Sequence, residues 1–156
     1  MKQNQKYSVA IHGGAGTLLR GQMTAEKEKA YRTSLENALE KAYQLLDAGA
    51  PAIDAVEAAV KVLEDSPLFN AGKGSVFTAE GTHEMDAAIM EGKDLHAGAV
   101  TLVKGIKNPI SLARDVMEKS GHVFLAGEGA LNFARSLGHV FEEERYFYDE
   151  FRHKQW

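Results

Sequence analysis

The residues best placed to do chemistry lie in short glycine-bearing loops. His12-Gly13-Gly14-Ala15-Gly16 follows an apolar pentapeptide, and its glycines permit positive φ and a close approach of the backbone to another group. A second loop, residues 63–73, leaves a helix end and winds through Pro67, Ala71 and Gly72. Several main-chain carbonyls there have no helical partner and could converge on an alkali cation, although the same residues also read as an ordinary loop. His83-Glu84-Met85-Asp86 offers metal donors, but in a strand Glu84 and Asp86 share one face and His83 points to the other. Gly127-Glu128-Gly129-Ala130-Leu131-Asn132 imitates a dinucleotide fingerprint whose third glycine is replaced by Asn132. Gly72-Lys73-Gly74-Ser75 resembles the end of a phosphate loop with lysine and glycine in the wrong order. The histidines are scattered, and no Gly-x-Ser-x-Gly elbow presents a serine nucleophile.

The elements that must position these loops follow from periodicity. Residues 7–11 read as a strand that feeds the first glycine loop. Thr24 is an N-cap for a helix to about residue 48, with Ala38, Leu39, Ala42, Leu45 and Leu46 at helical spacing and Gly49 as its stop. Pro51 opens a second helix that Pro67 prevents from continuing. Beyond it the period drops to about two: residues 75–78, 83–90 and 97–104 read as three strands of an antiparallel meander. Asn108-Pro109 starts a third helix, residues 122–126 form a strand, and residues 130–137 form a fourth helix. The order β-α-α-β-β-β-α-β-α predicts a layered α/β domain. Residues 140–156 have no clean period, yet they carry Phe141, Tyr146, Phe147, Tyr148, Phe151 and Trp156, which predicts packing on another surface, the chain's own body included.

Composition narrows the chemistry. The 156 residues include no cysteine, which excludes a disulfide scaffold, a thiolate zinc site, an iron–sulfur cluster and a cysteine nucleophile. Apolar residues at 44% and charged residues at 26% describe an ordinary globular chain. The net charge of −4, with cations interleaved among acids, argues against a nucleic-acid partner. The short apolar run before Gly13 is too brief for a signal-peptide core or a membrane span, so no membrane is expected and the cytoplasm is the default location.

Six blocks occur in a fixed order: His12 to Gly16, Pro67 to Ser75, Glu84 to Gly92, Ala97 to Val100, Asn108 to Arg114 and Gly127 to Ala130. Together they resemble the α-subunit of plant-type L-asparaginases, also called isoaspartyl or β-aspartyl peptidases, a family of N-terminal-nucleophile hydrolases. The resemblance spans about residues 9–137. It implies a four-layer αββα sandwich to which this chain supplies the α-subunit portion, residues 1–139, with residues 140–156 an acidic, aromatic tail leading towards a cleavage linker. In that family a precursor cuts itself before a threonine, whose amine and hydroxyl then act as base and nucleophile. The threonines at positions 17, 24, 33, 78, 82 and 101 are all internal, so the nucleophile is expected on a β-subunit from the same precursor.

Residue by residue, the resemblance assigns Asn70 to contact with the nucleophile, and Gly13, Gly14 and Gly16 to a loop bordering the cleavage site. It assigns the main-chain oxygens of Leu63, Glu64, Ser66, Phe69, Ala71 and Lys73 to a structural sodium ion. No organic cofactor is implied. The expected unit is a dimer of αβ heterodimers acting on asparagine or β-aspartyl dipeptides, with the preference between them set outside this chain. The alternatives are a nucleotide-binding module using the turn at residues 127–132 and a non-catalytic interaction subunit docking through its aromatic tail.

Overall fold

A computed structural model describes residues 7–16, 21 and 23–156; Thr17, one of the threonines considered above, lies outside them. Helix α1 (Ala25–Asp47) begins where Thr24 Oγ1 accepts the Lys27 amide at 3.2 Å. It ends where Gly49 takes a φ of 83° and the amides of Gly49 and Ala50 return to Leu46 and Leu45. Helix α2 (Ala52–Glu64) folds back on it, its first turn accepted by the Pro51 carbonyl. Ala38 and Ala42 of α1 meet Ala55 and Ala59 of α2, all buried, with Leu45, Leu46, Val62 and Leu63 around them. Four side chains of one carbon each let the two backbones approach closely.

The sheet has three strands in the order β1 (Met85–Met90), β2 (Ala97–Val103), β3 (Phe124–Ala126). β1 and β2 are antiparallel neighbours, whereas β2 and β3 run parallel. A parallel pair needs a crossover, and helix α3 (Pro109–Lys119) supplies it. A bulge interrupts the β1–β2 ladder: Met85 pairs with Val103 but Ala87 with Val100, so Asp86 faces both Thr101 and Leu102. Its Oδ1 accepts the Thr101 hydroxyl and the Leu102 amide, while Leu102 holds a φ of 54°. Met85, Ile89, Val100 and Val103 point inward against Ile110, Ala113 and Val116 of α3 and Ala130, Leu131 and Ala134 of helix α4 (Gly127–Ser136). Gly98 lets α3 lie almost on the strand, since a Cβ there would stand 2.1 Å from the Ala113 carbonyl oxygen. The opposite face of the sheet carries Met90, Leu102 and Phe124, each more than half exposed.

Three expectations need correction. Residues 7–11 are not a strand: no other strand lies beside them among the described residues, and Val9 and Ile11 instead rest on the α1–α2 pair. Residues 75–78 are not a strand either, because the turn closes after a single bridge between Phe77 and His83. The middle of the chain is therefore one hairpin, and the meander gives way to a mixed sheet whose third strand arrives in parallel. Helix α4 also starts earlier than residue 130, directly at Gly127.

The tail folds into two short helices, α5 (Glu144–Phe147) and α6 (Glu150–Gln155), which apolar periodicity did not predict. Phe147 is buried in the main core, and Trp156 stacks on Phe77 with its indole N–H 3.4 Å from the Ala79 carbonyl. Phe147 thus packs on the chain's own body and Trp156 covers Phe77, while Tyr148, Phe151 and Trp156 keep about half of their surface exposed. Among the described residues, no helix is long and apolar enough to cross a membrane.

Candidate functional site

The loop after α2 is built around two glycines that admit carbonyl oxygens. Gly72 has a φ of 50°, and a Cβ on it would lie 2.4 Å from the Glu64 carbonyl oxygen. A Cβ on Gly74 would lie 2.2 Å from that of Phe69 and 2.6 Å from that of Pro67. A single 3-10 turn, Gly72–Gly74, closes the loop with amide bonds from Gly74 to Ala71 and from Ser75 to Gly72. Of the six carbonyls predicted to face a cation, that of Leu63 accepts from the backbone N–H groups of Asp65 and Ser66, and that of Ala71 accepts one, from Gly74. Those of Glu64, Ser66, Phe69 and Lys73 accept none from the described residues. Their oxygens suit a hard cation, and the Ala71 carbonyl retains a second lone pair.

Glu64 is used twice. While its carbonyl faces Gly72, its buried carboxylate Oε1 accepts the Ile110 amide at 2.9 Å and so caps α3, which Asn108 does not cap. Oε2 is buried with no hydrogen-bond partner among the described residues. Burial pushes this carboxyl up to about 7, opposed by the Ile110 amide and the Asn108 side chain.

Asn70 sits at the exposed crest of the loop. Its Oδ1 accepts the Val76 amide at 2.9 Å, and because an N–H can only donate, it is the amide oxygen that is held by the loop, which leaves the side-chain nitrogen to donate elsewhere. The residue before it, Phe69, is buried edge-on to Tyr31, their centroids 5.7 Å apart. Gly13 lies against that same ring: an added Cβ would approach Phe69 Cε1 to 3.4 Å and Leu35 Cδ2 to 3.1 Å. The two glycine-bearing loops therefore meet through Phe69. Gly14 contributes conformation, with a φ of 105° and its amide on His12 Nδ1, whereas a Cβ on Gly16 would meet nothing within 4 Å.

The His83-to-Asp86 run does not assemble a metal site. Glu84 pairs with Lys104 at 2.8 Å, Asp86 is spent on the bulge, and the buried His83 turns to Ser75. No group of three or more candidate metal ligands occurs among the described residues. At the turn of residues 127–132, Glu128 and Asn132 are both engaged by Arg135, at 2.6 and 2.9 Å. An acidic residue thus stands in the first turn of α4, and its charge opposes a phosphate there. The Ser75–His83 contact was missed by sequence reasoning; its only signal was the alternation that puts His83 on the inward side with Met85.

A family model described as Asparaginase matches residues 5–156. An isoaspartyl peptidase of Salmonella typhimurium is 50% identical over 133 residues, covering 85% of this chain and 42% of the relative. A plant-type L-asparaginase of Pyrococcus abyssi is 52% identical over 155 residues, covering 96% and 46%. The isoaspartyl peptidase/L-asparaginase of Mus musculus is 49% identical over 130 residues, covering 83% and 39%. The chain thus spans less than half the length of these relatives.

Proposed function

Because this chain belongs to the asparaginase family, we propose that it is the α-subunit portion of a self-processed amidohydrolase acting on asparagine or β-aspartyl dipeptides. The observation that carries the reading is the Asn70 loop. Its amide oxygen is held by the Val76 N–H, which leaves the nitrogen to donate, on a loop braced against Gly13 through Phe69, as a group that orients a reacting partner should be. That partner is a threonine heading a β-subunit from the same precursor. Its amine takes the proton of its own hydroxyl, and the hydroxyl oxygen attacks the β-carbonyl carbon. The C–N bond breaks as the amine or ammonia leaves with a proton, and water then releases aspartate from the ester. Oxyanion donors and substrate carboxylate contacts come from the β-subunit.

The open sheet face supports a four-layer sandwich. Met90, Leu102 and Phe124 stand out from a surface otherwise made of small residues such as Ala88 and Ala99, which suits a second sheet stacked about 10 Å away. Two αβ pairs assemble into the working enzyme in the cytoplasm. A sodium ion fits the carbonyl loop of Leu63, Glu64, Ser66, Phe69, Ala71 and Lys73, where it would neutralise converging oxygens and stiffen the segment that carries Asn70.

The test is expression of the full-length precursor followed by mass spectrometry and a β-aspartyl dipeptide assay. Cleavage before a threonine and release of aspartate are expected. Robust hydrolysis by residues 1–156 alone would overturn the reading.

A further inference from the structure

We propose that His83 is a positioning residue for the reaction, acting on Asn70 through a single peptide plane; this rests on the reading that Asn70 faces the nucleophile. His83 Nδ1 lies 3.1 Å from the Ser75 carbonyl oxygen and 3.2 Å from Ser75 Oγ. A carbonyl can only accept, so Nδ1 carries the proton and donates it. The Ser75 carbonyl and the Val76 N–H are the two ends of one planar peptide unit. His83 grips the oxygen end of that plane, and Asn70 Oδ1 takes the nitrogen end at 2.9 Å. Rotation of the plane would break both bonds, and polarising its carbonyl strengthens its N–H as a donor. The Asn70 amide is thereby anchored through its oxygen by a group on the far side of the turn, and its nitrogen is left to donate.

The ring has little freedom to do otherwise. It lies between Phe77, centroid to centroid 4.2 Å, and Phe147 at 6.0 Å, and is buried. That apolar clamp also disfavours the charged imidazole, which keeps His83 a neutral donor. Phe77 is itself covered by Trp156, Tyr148 and His153, so the aromatic tail forms the outer wall of the clamp.

The experiment compares His83→Phe and His83→Asn in the full-length, self-processed protein. His83→Phe keeps a ring but removes the donor, while His83→Asn restores an N–H where Nδ1 stood. The expected loss for His83→Phe is about 10–100-fold in kcat, as for removal of a group that orients a site residue, with KM within about twofold. His83→Asn should recover most of it. On an Asn70→Ala background, His83→Phe should cost nothing further, since both act through one contact. Equal impairment of the two His83 variants, or an undiminished loss on the Asn70→Ala background, would overturn the proposal. Should His83→Phe fail to fold, the nitrogen-15 resonances of His83 in the wild-type protein decide: a protonated Nδ1 supports the proposal, and a bare Nδ1 overturns it. A wild-type protein without β-aspartyl hydrolysis would instead refute the proposed function, leaving the tautomer to be read on its own.

Discussion

Replacing Gly98 by alanine tests whether the sheet and α3 are held at backbone contact. The added Cβ would stand 2.1 Å from the Ala113 oxygen, 2.6 Å from the Met117 nitrogen and 2.8 Å from Met117 Cβ. Reaching an ordinary contact of about 3.4 Å requires α3 to retreat by roughly 1.3 Å, and a gap of that order forfeits about half of the dispersion well for atoms across the interface. Ile110, Leu112 and Val116 are fully buried there, each worth about 2 kcal/mol of burial, so the loss is about 3 kcal/mol. Alanine recovers about 0.5–1 kcal/mol because glycine is the poorer residue inside a strand. The net destabilisation is about 2 kcal/mol, which lowers the thermal midpoint of an intact protein about twice this chain's length by roughly 2–4 °C. Differential scanning calorimetry measures it, with Gly92→Ala as the internal control, because a Cβ there meets nothing within 4 Å. A midpoint equal to or above wild type for Gly98→Ala would refute the claim that this glycine sets the helix–sheet distance.

Two further outcomes are expected. Exchanging sodium for tetramethylammonium at constant ionic strength should lower the thermal midpoint, since an ion at a hundredfold excess over its dissociation constant stabilises by about 2.7 kcal/mol; a midpoint indifferent to sodium would remove the ion from the carbonyl loop. Arg114 of α3 reaches Asp54 and Glu57 of α2, both at 2.7 Å, and also bonds Glu118 on its own helix at 2.8 Å. Arg114→Leu should cost about 2 kcal/mol by calorimetry, between the values for exposed and buried pairs, and Arg114→Lys should recover less than half because an ammonium cannot span three carboxylates. A lysine variant as stable as wild type would show that the forked geometry contributes nothing.

The helices were legible because their signals are local. Thr24, Gly49 and Pro109 act on their own turns, and the alanine stripe that predicts α1 is the stripe that packs. The strands were less so, since a strand exists only beside a neighbour. Residues 7–11 alternate as a strand should but find none among the described residues, and residues 75–78 close too tightly to propagate a ladder. In the candidate site, the family resemblance singled out Asn70, and the structure adds which way its amide points. His83 was visible only as a possible metal donor. Its bond to the Ser75 carbonyl depends on how the turn between them closes through Thr78 and Thr82, and its ring packs on Phe147 far along the chain, a contact that no local pattern announces.

Glu64 bears on how a mutational scan of this protein should be interpreted. At a site made of main-chain oxygens, as proposed for residues 63–73, side-chain identity matters only where the side chain shapes the loop, as Ser66 Oγ does by accepting the Leu68 amide. Glu64 is constrained from another direction, because its carboxylate holds the first turn of the neighbouring helix α3. Intolerance at this position would therefore report on the seating of α3, and a sensitivity map drawn across residues 63–73 would mark as ion-binding a residue whose side chain serves a different element. The same attachment makes the loop and the helix one mechanical unit: a change that tilts α3 is felt where the carbonyls gather, through a single residue that belongs to both.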